Sequence, residues 1–254
     1  MSGSRRAPFL QRVSLVEARV PDLAWPYSLP FVRDLDLRLD SPVTFFVGEN
    51  GSGKSTLIEA IAELCGLPVS GGGKNEAADR HGPEQRSSLA AALRPAFTLR
   101  PPDSYFFRAE FQAHFASLLD QRRDDADFEA NPYTRYGGKP LHTQSHGEAF
   151  LAMLLHRISS GLFLLDEPES ALSPQRQLTL LARMDALVSA GATQFIVATH
   201  SPILLTFPGA TIISFDEQRL SVVRLDETAH YQITKTLLNA PEKYWRLLRE
   251  EKLP

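Results

Sequence analysis

Gly48-Glu49-Asn50-Gly51-Ser52-Gly53-Lys54-Ser55-Thr56 is the stretch on which the reading of this chain turns. It fits the phosphate-loop pattern G-x-x-x-x-G-K-[ST], with the β-branched and aromatic run Val43 to Val47 before it and the helical run Leu57 to Leu64 after it. Strand, loop and helix in that order are the context in which such a loop works. Gly48, Gly51 and Gly53 let the backbone curl so that successive N–H groups converge on phosphate oxygens at the positive end of the following helix. Lys54 is placed to reach the β- and γ-phosphates, and the Ser55 hydroxyl to ligate Mg²⁺. Asn50, Ser52 and Thr56 complete the loop residues assigned to the nucleotide. The ligand class is therefore a nucleoside triphosphate with Mg²⁺, and the competing reading is a glycine-rich turn that carries Lys-Ser by accident.

The second half supplies carboxylates at a matching place. Leu162-Phe163-Leu164-Leu165 is an apolar run of strand length ending in Asp166-Glu167-Pro168, so two acids fall at the C-terminal edge of a buried parallel strand, where α/β sheets hold ligands. Asp166 suits Mg²⁺, directly or through its water shell, and Glu167 suits the polarisation of an attacking water. Helix-capping acids after a core strand are the alternative. A further apolar strand, Gln194 to Ala198, leads into Thr199-His200-Ser201-Pro202. A lone histidine there is commonly structural, yet His200 would end beside the same sheet edge as Asp166 and is a candidate γ-phosphate sensor.

At 254 residues with a formal charge of -3, the chain is expected to form one α/β domain with an inserted helical piece, without strong attraction to nucleic acid or anionic lipid. Cys65 is the sole cysteine, which excludes an intramolecular disulfide and makes a reducing, cytoplasmic location the expectation. No apolar run is long enough to span a bilayer, so no direct membrane insertion is expected. Strands are expected over Leu10 to Val20, Val32 to Asp40, Phe97 to Arg100 and Tyr105 to Ala109, and a helix over Glu110 to Leu119. Trp25-Pro26-Tyr27 reads as an edge plug on the sheet or a platform for adenine. Residues 66–95 read as a loop or lid because Ser70-Gly71-Gly72-Gly73 and His81-Gly82-Pro83 carry no periodicity. His114 and His156 read as packed or half-exposed side chains rather than ligands.

The order of these motifs resembles that of the ATP-binding-cassette ATPases. Walker A lies at Gly48 to Thr56, a signature-like Gln144-Ser145-His146-Gly147-Glu148 precedes an apolar helix, Walker B runs from Leu162 to Glu167, a D-loop-like Ser170 to Ser173 follows, and the switch histidine is His200. More narrowly the chain is similar to compact soluble bacterial ATPases, through Ser41 to Gly51, Gln144 to Glu148 and Asp166 to Pro174. The resemblance implies a P-loop NTPase fold of α/β class with an ABC-type core, one domain over 1–254 and a small helical subdomain over 111–158. It implies a head-to-tail, ATP-dependent homodimer in which Ser145 and Gly147 contact the γ-phosphate held by the other subunit. Ser145 read alone would be an N-cap, with Glu148 completing a capping box. Three departures stand out: His146 replaces the first signature glycine, Ser173 stands where the D-loop has Asp, and Glu110 aligns with the Q-loop glutamine, equally readable as a surface acid. The implied activity is hydrolysis of ATP to ADP and phosphate by a soluble switch acting on a protein or nucleic-acid partner. The alternative is the ATP-binding subunit of a membrane transporter; a regulatory binder without turnover is disfavoured because Lys54, Ser55, Asp166, Glu167 and His200 are all present.

Overall fold

The computed structural model describes residues 6–74, 86–108 and 146–250, and elements are numbered over those residues. Five strands run parallel at the centre of a seven-stranded sheet: β3 (Val43–Val47), β6 (Ser104–Arg108), β7 (Gly161–Asp166), β8 (Thr193–Ala198) and β9 (Thr211–Ser214). The strand order is β10-β9-β3-β8-β7-β6-β4, with β10 (Ser221–Val223) and β4 (Gly72–Gly73) closing the edges antiparallel. β3, β7 and β8 are buried along their whole length, as expected of parallel strands covered on both faces.

Alternation along those strands divides the core in two. Phe46, Leu162, Leu164, Ile196 and Ala198 face α1 (Lys54–Leu64) and a small antiparallel sheet. Phe45, Val47, Phe163, Leu165, Phe195 and Val197 face α3 (His146–Arg157) and α4 (Pro174–Ser189). The small sheet has the order β2-β1-β5, from β1 (Leu10–Leu15), β2 (Asp36–Arg38) and β5 (Leu93–Phe97). Gln194, fully buried on β8, accepts the Phe9 and Leu10 amides at 2.8 and 2.9 Å and donates to the Leu10 carbonyl at 2.8 Å. One side chain thus joins the two sheets.

Several expected boundaries move. The first strand stops at Leu15 because Glu17–Arg19 coil into a 3₁₀ turn. In the segment Val32 to Asp40 the alternation is right, with Leu35, Leu37 and Leu39 buried between exposed neighbours. Only Asp36–Arg38 pairs, because Val32 and Leu35 donate to turn carbonyls at Leu29 and Val32. The strand expected over Phe97 to Arg100 lies earlier, at β5, whose partner β1 sets its register. The described parts of 66–95 are packed: Leu67 and Val69 are buried, and α2 (Ser88–Ala92) leads directly into β5. Ser87 caps α2, its hydroxyl accepting from the Ala90 amide at 3.4 Å, and Leu89 and Ala92 are fully buried in the core that includes α1. Residues 75–85, Glu110, the helix expected over Glu110 to Leu119, His114 and most of the 111–158 segment lie outside the described residues. His156 is exposed.

Candidate nucleotide site

Strand register brings the chemistry to one edge. Val47 pairs with Ser214, and Asp166 pairs with both Ala198 and Arg108. The residues that follow β3, β7, β8 and β9 therefore emerge side by side at the C-terminal edge of the sheet, where open α/β folds bind ligands.

The loop after β3 is held open by glycine geometry. Gly53 is the N-cap of α1 with φ 98°, and a Cβ there would stand 2.6 Å from the Phe31 ring. Gly48 has φ 149°, and a Cβ there would press on Asp216 and Phe215. Asp216 follows β9; its Oδ1 accepts the Glu49 amide at 2.9 Å and its Oδ2 accepts the Ser214 hydroxyl at 3.1 Å. Asp216 thus anchors the loop from the neighbouring strand, a role that no local motif announces.

Lys54 is 4% exposed and its Nζ donates to the Gly48 and Glu49 carbonyls at 2.7 and 3.0 Å. Burial lowers its pKa, opposed by Glu167, Asp166, Asp216 and Glu49. The ammonium therefore sits inside the loop surrounded by acids, a charge ready for phosphate. Ser55 donates to Asp166 Oδ1 at 3.2 Å. Asp166 is 6% exposed and its pKa is pushed up to about 6, mainly by burial, against the pull of Arg108 and with further upward pressure from Glu167. Arg108 Nε lies 3.7 Å from Asp166 Oδ2 while its Nη1 donates to Glu59 at 2.6 Å.

Among the described residues no cluster of three or more His, Cys, Asp or Glu could hold a metal by itself. The adjoining Ser55 and Asp166 oxygens nevertheless fit Mg²⁺, a hard cation commonly held by one or two protein oxygens together with phosphates and water. The raised pKa of Asp166 is what a buried carboxylate without sufficient positive charge nearby should have.

This shift has a consequence for stability without nucleotide. A carboxyl group whose pKa rises from 3.8 to about 6 on folding adds stability fully present below the unfolded value and lost as pH climbs through the folded value. By linkage the loss is about 3 kcal/mol. Asp166→Asn is expected to raise the midpoint of urea unfolding of the nucleotide-free protein at pH 8 and to flatten its dependence between pH 4 and 7. An unchanged slope in that window would refute the assignment.

Glu167 has φ 48° and ψ 52°, the left-handed region, and is the only non-glycine residue with positive φ among the described residues. Its amide donates to the Ala198 carbonyl at 2.9 Å, and its own carbonyl accepts the Ser170 amide and hydroxyl at 3.1 and 2.8 Å. Such backbone strain persists where surrounding bonds over-determine it. The result turns the carboxylate toward His200, with Nε2 to Oε1 at 3.5 Å. His200 has a lowered pKa, first from burial and then from Lys54 and His230, opposed by Glu167 and Glu49. Its amide donates to Glu169 Oε1 at 2.5 Å and its Nδ1 lies 2.8 Å from His230 Nε2. Burial raises the pKa of Glu169.

Thus Lys54, Ser55, Asp166, Glu167 and His200 converge, with the loop residues Asn50, Ser52 and Thr56 alongside. At Gly147 the atoms nearest to where a Cβ would stand are the Ala171 carbonyl oxygen and the Arg176 guanidinium, both at 2.6 Å. Ser145 lies outside the described residues. Tyr27 is buried with its hydroxyl on the Ser88 carbonyl at 2.6 Å, the plug of that segment, whereas Trp25 is 68% exposed.

Fold and site together define a P-loop nucleoside-triphosphatase domain. Residues 93–206 match the family described as "AAA domain, putative AbiEii toxin, Type IV TA system", and residues 28–108 match one described as "AAA domain". The chain is similar to the biotin transport ATP-binding protein BioM of Rhodobacter capsulatus, 30% identical over 188 residues that span 68% of this chain and 75% of that protein. It is also similar to the cobalt import ATP-binding protein CbiO of Salmonella paratyphi A, 26% identical over 187 residues, 67% of this chain and 66% of that protein. A solved ATP-binding cassette of an ABC transporter shares the fold, with a TM-score of 0.52 at 15% identity over 92% of this chain and 97% of that one. The chain belongs to the ATP-binding-cassette (ABC) ATPases. No described helix is long and apolar enough to cross a membrane.

Proposed function

We propose that the chain is a Mg²⁺-dependent ATP hydrolase that closes as a head-to-tail homodimer around ATP. The carrying observation is the juxtaposition at one sheet edge of the buried Lys54 ammonium, the Ser55–Asp166 contact at 3.2 Å and the Glu167–His200 contact at 3.5 Å. Loop amides and Lys54 hold the β- and γ-phosphates. Glu167 takes a proton from the water that attacks the γ-phosphorus, the bond from that phosphorus to the β–γ bridging oxygen breaks, and ADP and inorganic phosphate form. Ser55 and Asp166 would hold Mg²⁺, which when bound supplies charge neutralisation on the phosphates. His200, beside Glu167 at 3.5 Å, senses the γ-phosphate.

The dimer reading is supported by membership of the ABC ATPases. Ser145 and Gly147 then act on the nucleotide of the partner subunit, from a helical subdomain over 111–158 within a single 1–254 domain. Because each ATP bridges two protein surfaces, binding and association form one linked equilibrium. Sedimentation should show a dimer with ATP and a monomer without it, and Ser145→Arg should remain monomeric with unchanged far-UV dichroism. Equal mass with and without ATP at concentrations well above micromolar would rule out the sandwich.

For the target of the switch we favour a cytoplasmic protein partner over nucleic acid, since a net charge of -3 opposes nonspecific binding to a polyanion. A second reading, the ATP-binding subunit of a membrane transporter, draws support from the names of the two relatives above. Affinity capture separates them: an integral membrane protein as chief partner decides for the transporter.

A further inference from the structure

We infer that His230 is a positioning residue for His200, fixing the tautomer in which the His200 Nε2–H faces Glu167. This rests on the roles proposed above for Glu167 and His200. His230 lies in the first turn of α5 (Ala229–Asn239). The buried Thr228 caps that helix, its hydroxyl donating to the Leu225 carbonyl at 2.8 Å and accepting the Tyr231 amide at 3.4 Å. That turn delivers the ring to a site built otherwise from the ends of β3, β7, β8 and β9. His230 Nε2 stands 2.8 Å from His200 Nδ1, with the ring planes at 58°.

A line of 2.8 Å between two nitrogens holds one hydrogen, so one ring donates and the other accepts. The neighbours decide which. His200 Nε2 lies 3.5 Å from Glu167 Oε1, and an ionised carboxylate can only accept. A hydrogen on Nε2 gains that attraction, whereas a bare Nε2 would set a lone pair against negative charge. Nδ1 of His200 is then bare and receives the Nε2–H of His230. His200 Nε2 and His230 Nδ1 are both buried without a hydrogen-bond partner, so either tautomer leaves one N–H outside a full hydrogen bond. The Glu167 carboxylate 3.5 Å from His200 Nε2 is what favours the hydrogen there, leaving His230 Nδ1 as the bare acceptor.

The backbone of His200 is already tied, its amide to Glu169 and the next amide, of Ser201, to the Thr199 hydroxyl. The imidazole itself is oriented by His230 on one side and Glu167 on the other. The hydrogen bond to one ring nitrogen selects the state of the other, and partners of this kind are commonly worth about 10- to 100-fold in function.

The experiment is steady-state ATP hydrolysis by the full chain carrying His230→Ala, His230→Gln, His200→Ala and the double alanine substitution, with nucleotide affinity measured in each. His230→Ala should lower kcat about 10- to 100-fold with KM for ATP within about twofold. His230→Gln should restore most of it, because its amide can donate along the same line. In the His200→Ala background His230→Ala should have no further effect. An unchanged kcat for His230→Ala, or the same loss in both backgrounds, overturns the inference. Full activity of His200→Ala would instead overturn the role of His200 on which it rests. Nitrogen-15 spectra of the histidine rings without nucleotide read the tautomer whether or not ATP is turned over. His200 should be bare at Nδ1 in the wild type and mixed in His230→Ala, and a wild-type His200 protonated at Nδ1 alone overturns the inference.

Discussion

Lys54→Ala is expected to weaken ATP binding at least about 100-fold, because removing one partner from a buried charge cluster commonly costs 3–5 kcal/mol. The cost arises from what stays behind. Lys54 is the positive charge that opposes Glu167, Asp166, Asp216 and Glu49 around the loop, and without it those carboxylates face the phosphates directly. Its Nζ also occupies the Gly48 and Glu49 carbonyls, so the nucleotide-free loop loses an internal clasp as well. Arginine keeps the charge but not the fit: at 4% exposure the pocket has room for a compact ammonium and not for a planar fork. Titration with a fluorescent ATP analogue checks both variants. Affinity within threefold of wild type for Lys54→Ala would remove Lys54 from the phosphate site.

Glu167→Gln should behave in the opposite way, retaining ATP while losing about 10²- to 10⁴-fold in turnover, the range lost with a general base. Glutamine preserves the side-chain shape, and the left-handed backbone is held by bonds from the main chain, at Ala198, and from Ser170. What disappears is the capacity to take a proton. The nucleotide remains intact, so the variant should also accumulate as the ATP-bound dimer. Single-turnover measurements distinguish the outcomes. Loss of binding equal to that of Lys54→Ala would show that Glu167 acts as a structural acid and not as the base.

The parts of the site that could be read from sequence are those carried by one contiguous stretch. The loop 48–56, the acids at 166 and 167 and the histidine at 200 each follow an apolar run whose length and composition mark a parallel strand, and the strand end dictates where they emerge. Asp216, Glu169 and His230 were invisible for the opposite reason. Asp216 acts on an amide 167 positions earlier, Glu169 on an amide 31 positions later, and His230 on a ring 30 positions earlier. Strand order brings Asp216 and Glu169 to their partners, and the first turn of α5 brings His230. The shifted boundaries have a similar origin. Alternation over Leu35, Leu37 and Leu39 correctly marked an inward face, yet pairing with β1 extends over Asp36–Arg38 alone. The glycine-rich composition of 66–95 masked α2 and the start of β5, whose buried residues take their places from α1 and β1 rather than from any local periodicity.

The bridge made by Gln194 has a consequence for how the domain opens. Its amide satisfies two N–H groups and one carbonyl of the outer sheet, so peeling β1 away would strand a buried side chain on β8 and three main-chain groups together. Sub-global opening of the outer sheet is thereby coupled to disruption of the central strands that carry Asp166 and His200. In native-state hydrogen exchange the Phe9 and Leu10 amides should belong to the slowest-exchanging set, with the interior of β8, and exchange as one foldon with it. The outer sheet is then a fixed wall, and motion during turnover has to be drawn from other parts of the molecule.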